Sequence, residues 1–116
     1  LALDRILALD VPPTALFAYN DRLAIGALHR LRKRGLRVPD DFAVVGFDGI
    51  AFGGFTAPTL TTVDSSREEL GKLAMQAVID AIDKKEGRQD HLLPVRLLVR
   101  ESCGGTEVDS EGMPHN

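Results

Sequence analysis

Apolar and polar positions change period along the chain, and each change marks an element. Leu3, Ile6 and Leu7 recur at helical spacing, so Leu1–Leu9 reads as the end of a helix, stopped by Pro12 and Pro13. Thr14–Tyr19 (TALFAY) is a short apolar run with strand character. Asn20 and Asp21, both good helix caps, precede a helix over Leu23–Arg34 with the stripe Ala24, Ala27, Leu28 and Leu31. Arg32, Lys33 and Arg34 crowd its last turn, where cations suit the negative helix end, and Gly35 supplies the C-terminal cap. Val38–Asp41 is a turn. Phe42–Phe47 (FAVVGF) is apolar throughout, as a parallel strand covered on both faces is. Ala51–Pro58, with Gly53 and Gly54, reads as a loop, and Leu60–Val63 as a β-branched strand. Ser66 and Glu69 fit a capping box for a helix over Arg67–Lys85, with Gly87 just past its end. That helix has a regular stripe of Leu70, Leu73, Ala74, Ala77, Val78, Ala81 and Ile82. Pro94–Arg100 reads as a last strand, and residues 103–116 as a polar, Gly-rich disordered tail.

Strand, helix, strand, loop, strand, helix, strand is the alternation of an α/β fold, with a parallel sheet flanked by helices. Ligands of such sheets gather at the carboxyl ends of the strands. The polar residues there are Asn20, Asp48 and the pair Asp64/Ser65. Neighbouring parallel strands lie about 5 Å apart, which lets Asn20 and Asp48 hold one small polar ligand together. The plainer account of the same residues is capping for Asn20 and Asp21 and a turn for Asp48-Gly49.

Composition narrows the function classes. The 116 residues are 44% hydrophobic and 27% charged, as in an ordinary folded domain, and one core is all that this length supports. A net charge of -3 argues against a nucleic-acid grip by this segment, because phosphate binding wants a basic face. The cluster Arg32, Lys33, Arg34 and Arg37 is better read as helix-end charge. A single cysteine, Cys103, and three histidines allow neither a disulfide nor a metal motif. Neither a metal nor another cofactor is expected. The glycines make no dinucleotide fingerprint, and no nucleophile–base pair stands out, so no catalytic residue is expected. No apolar run has the length of a membrane span, and the opening LALDRILALD carries acids, unlike a secretory signal, so a cytoplasmic setting is expected.

Four stretches in order, TALFAYNDRLAIGAL, GLRVPDDFAVVGFD, APTLTTVDSSREELGKLA and LLPVRLLVRES, carry a family resemblance. They look like the C-terminal regions of LacI/GalR-family transcription regulators, over about Pro13 to Ser102. The resemblance implies an incomplete type I periplasmic-binding-protein-like domain over residues 1–102, with the DNA-binding helix-turn-helix domain outside this chain. It implies a DNA-binding regulator, a repressor in kind, whose small-molecule effector is a sugar or a purine-like compound. Asn20 resembles the residue that hydrogen-bonds the effector, with Asp21 left as the helix cap. Asp48 resembles the carboxylate that accepts bonds from the effector. Ser65 occupies a ligand-contact position that often holds a longer Gln, and Gly49 stands where the family frequently has Asp or Asn. Ile25, His29 and the loop Phe52, Gly53, Gly54 and Phe55 match stretches that form the family's subunit interface, implying a homodimer or higher oligomer. Operator DNA is contacted only through the domain outside this chain, and no membrane is involved. The alternative is a periplasmic sugar-binding protein of an ABC transporter, which shares the fold. An enzyme of the doubly wound class is a third reading, with no site residues behind it.

Overall fold

A computed structural model describes residues 2–83 and 90–105. Its elements, in chain order, are α1 (Ala2–Leu7), β1 (Ala15–Phe17), α2 (Asp21–Lys33), β2 (Ala43–Asp48), a 3-10 turn (Ala51–Phe55), β3 (Thr61–Asp64), α3 (Arg67–Ile82), β4 (Arg96–Leu98) and a second 3-10 turn (Glu101–Cys103). The strands lie in the order β1-β2-β3-β4. The first three are parallel, with Phe17 opposite Val45 and Asp48 opposite Asp64. β4 runs antiparallel to β3, so the expected parallel sheet is a mixed one. The strand expected over Pro94–Arg100 narrows to three residues, because the Arg100–Ser102 segment turns back to bond the start of β3 instead of extending the ladder.

The core lies between the sheet and α2. Ala24, Ala27, Leu28 and Leu31, the stripe read from the sequence, are all buried, together with Phe42, Val44 and Leu60. α2 ends as its sequence requires. Gly35 adopts a φ of 74°, its N–H bonds the carbonyl of Arg32, and the N–H of Leu36 bonds that of Leu31. That pair of bonds is a Schellman ending, which needs a left-handed residue at this point. α1 is shorter than expected and is fastened to α2 by Asp4, whose carboxylate accepts from Arg30 at 2.9 Å and Arg34 at 2.6 Å.

α3 differs most from expectation. Ser66 sits at its start in a left-handed conformation (φ 49°, ψ 44°), and its hydroxyl makes no capping bond. The Ser66–Glu69 box does not form, because Asp64 takes the Ser66 N–H at 3.0 Å and holds the turn in another shape. None of α3's residues is buried, and its apolar stripe faces solvent, with Ile82 73% exposed. The expected extension to Lys85, Gly87 and most of the expected tail (106–116) lie outside the described residues.

Candidate functional site

The carboxyl ends of β1, β2 and β3 form one rim. β1 passes through Ala18, whose N–H bonds the carbonyl of Val45, to Asn20 at the head of α2. β2 ends at Asp48 and β3 at Asp64, which are direct neighbours in the parallel register. Ser65 follows immediately. The sheet therefore brings Asn20, Asp48 and Ser65 to the same edge, as the alternation of elements implied.

Asp21 does not take the capping place expected of it; Asn20 does. Asn20 is the helix cap: its Oδ1 accepts from the Leu23 N–H at 2.9 Å. Its amide NH2 has no partner among the described residues and remains a donor. Asp21 is not a cap. It is wholly buried, accepting from the Thr62 hydroxyl at 2.5 Å and from the Ile50 N–H at 2.8 Å. The physical reason is direction. Asp21 is the first residue of α2 and points inward toward β3, where hydroxyl and amide donors satisfy the charge.

Asp48 is half-buried, and its carboxylate has no hydrogen bond or ion pair among the described residues. Its backbone holds a φ of 114° and that of Gly49 a φ of 70°. The position of Gly49 is the tight one of the corner. A side-chain carbon there would stand 2.9 Å from the Asp64 Cα, so neither Asp nor Asn fits without a shift of backbone. Asp64 is engaged already, with the Ser66 N–H on one oxygen and Arg96 of β4 at 3.5 Å from the other. Ser65 is half-buried, and its hydroxyl makes no bond among the described residues. The rim thus offers a free carboxylate, an amide donor and a hydroxyl.

The residues expected at a subunit interface divide. His29, Phe52 and Phe55 are exposed, Phe55 by 82%. Ile25 leans against the core. Gly53 is buried under Leu60 and beside the Arg100 guanidinium, so it shapes the turn from inside, and Gly54 is half-buried. Arg100 stiffens this turn by donating to the Leu60 carbonyl at 2.9 Å, whose own N–H bonds the Gly53 carbonyl.

An apolar hollow of about 490 Å³ lies between α1, β1 and α2, lined by Leu3, Ile6, Phe17 and Leu23 among others. It contains none of the rim's free polar groups. No group of three or more His, Cys, Asp or Glu able to hold a metal occurs among the described residues. No helix of the described residues is long and apolar enough to cross a membrane.

Residues 1–103 match the family model of the periplasmic binding protein-like domain. The chain belongs to that family. Within it, the relatives are LacI-type regulators. The chain is 41% identical over 102 residues to the probable HTH-type transcriptional repressor ExuR of Bacillus subtilis, covering 87% of this chain and 31% of ExuR. A LacI-type transcription regulator from Bifidobacterium animalis subsp. lactis superposes with a TM-score of 0.81 at 35% identity, over 88% of this chain and 37% of that one. A LacI family regulator from Enterococcus faecium, solved with bound ribose, superposes at 0.76 with 33% identity, over 81% of this chain and 35% of that one. The resemblance to LacI/GalR-type regulators is borne out. The chain spans about a third of the length of these relatives.

Sequence reasoning missed Asp21 as a buried group, and Thr62 and Gly46 with it. One signal was present. Gly46 interrupts an otherwise bulky apolar strand, and a glycine there marks a close approach. A side-chain carbon at Gly46 would run into the Asp21 carboxylate.

Proposed function

We propose that this chain forms one wall of a small-molecule effector site, and part of a dimer surface, in a DNA-binding transcription regulator of the LacI type, a repressor. The observation that carries the reading is the free Asp48 carboxylate on the same rim as the Asn20 amide. A carboxylate only accepts hydrogen bonds at neutral pH, so the ligand must present donors to it. Sugar hydroxyls and the ring N–H groups of purines meet that demand, and ribose is the ligand found in the Enterococcus faecium relative. Asn20 supplies a donor for a ring or hydroxyl oxygen, and Ser65 is short enough to admit a water between itself and the ligand.

The rim is a wall and not a closed pocket. In this reading the effector is enclosed by a second subdomain outside the chain, and its binding shifts the arrangement of two subunits. Effector and operator are coupled only if the effector binds one global state better than the other. His29, Phe52 and Phe55 face the partner subunit, while Ile25 packs against the core from α2. The DNA-reading domain lies elsewhere in the protein, and the setting is the cytoplasm. The names of the relatives favour this regulator over a solute-binding component of a transporter.

The test is a titration of the regulator against D-ribose, other sugars and purine bases, first by thermal shift and then by calorimetry. With the ligand so found, Asp48→Ala is expected to weaken binding by about 1–3 kcal/mol through loss of bonds to a charged group. An unchanged affinity removes Asp48 from the site.

A further inference from the structure

We propose that Asp21 is a positioning residue, which holds the Asp48–Gly49–Ile50 corner in place and so fixes where the Asp48 carboxylate faces the ligand. The proposal rests on the effector-site reading of the rim.

The corner is an uncomfortable piece of backbone. Asp48 and Gly49 both have positive φ, and at 114° Asp48 is outside the conformations that a side chain readily tolerates. Such a conformation persists only when its surroundings over-determine it. Two bonds do so here. The Ile50 N–H donates to one Asp21 oxygen at 2.8 Å, and the Gly49 N–H donates to the Thr62 hydroxyl at 3.3 Å. The same hydroxyl donates to the other Asp21 oxygen at 2.5 Å. Both oxygens of a wholly buried carboxylate are thereby used, one directly on the corner and one through Thr62.

The rest of the fold is arranged around this carboxylate. Gly46 in β2 leaves the space that Asp21 fills. The first turn of α2 gives the charge a favourable place, because negative groups suit a helix N-terminus. Asp21 is also next in the chain to Asn20, so one anchor sets both sides of the rim. Moving it changes the distance between the Asn20 amide and the Asp48 carboxylate, which a ligand spanning the two must match.

Residue-level amide hydrogen exchange on the full chain, without effector, tests this. Three variants are compared with the parent: Asp21→Ala, Thr62→Val and Thr62→Ser. Asp21→Ala is expected to speed exchange at Ile50 by about tenfold or more, and Thr62→Val to do the same at Gly49, since each loses its acceptor. Protection within α2 from Ala24 to Leu31 should persist in both, and Thr62→Ser, which keeps the hydroxyl, should match the parent. If Asp21→Ala does not fold, the Thr62 pair decides alone. Unchanged exchange at Ile50 in a folded Asp21→Ala, unchanged exchange at Gly49 after Thr62→Val, or acceleration spread equally over α2, overturns the proposal. Failure of the effector reading appears elsewhere, as an unaltered titration of Asp48→Ala, so the two are told apart.

Discussion

Ser102 shows how much one hydroxyl can carry at the scale of a residue. It is wholly buried, accepts from the Thr61 N–H at 2.9 Å and donates to the Val44 carbonyl at 2.6 Å. It bridges β2 and β3 where β3 begins. Ser102→Ala leaves a buried donor and a buried acceptor unpaired, and a loss of about 1–3 kcal/mol in urea-unfolding stability is expected. Thr61, whose hydroxyl bonds the Arg100 backbone, depends on the same seam. None of this was legible in the Arg100-Glu101-Ser102 word, which marked only a resemblance. Residue types at 20, 21 and 48 pointed to polar groups that the sheet does bring to one edge. They could not tell which of Asn20 and Asp21 caps the helix, because both types cap equally well and only the packing of β3 against α2 turns Asp21 inward.

At the scale of an element, α2 is the best-specified part of the chain. Its stripe, its basic last turn and its glycine ending all agree, and the structure follows each of them. Gly35→Ala places a side chain at a φ of 74°, and a loss of about 1–2 kcal/mol is expected in the same unfolding measurement. The link from α1 to α2 should depend on pH. Hydrogen bonds from Arg30, then Arg34, hold Asp4 down to about 2 from its ordinary 3.8. A lowered carboxylate stabilises the folded state above the unfolded value and ceases to do so as pH falls toward the folded one. The difference in Tm between the parent and Asp4→Asn should therefore be full near neutral pH and shrink between about pH 4 and about pH 2. A difference that stays constant across that window counts against the pairing. α3 shows the limit of pattern reading. Its period predicted a helix over 67–85, and Arg67–Ile82 is one, yet the period could not say what the stripe packs against.

At the scale of the whole molecule, exposed apolar surface is the main feature. Met75, Val78 and Ile82 on α3, Phe52 and Phe55 on the 3-10 turn and Phe17 on the edge strand β1 all face solvent. Apolar patches of this kind mark surfaces that associate. The chain by itself is expected to self-associate, with a sedimentation-velocity mass above that of a monomer at high concentration. Phe55→Asp should lower that mass if the 3-10 turn contributes to the contact. A monomer at every concentration overturns the expectation.

The sequence alone determined the class of the fold, the order of its elements, the buried stripe of α2 and the edge at which polar groups gather. It could do so because hydrophobic period and cap chemistry are local properties, read within one or two turns of chain. Only the tertiary structure decided that β4 runs antiparallel, that Ser66 forms no box, that Asp21 is buried under Gly46 and beside Thr62, and that Asp48 has no partner among the described residues. The burial of Asp21 depends on contacts far along the chain, with Ile50 29 positions on and Thr62 41 positions on, and the direction of β4 on its pairing with β3, none of which a local period records; the Ser66 turn is set by Asp64, two residues before it.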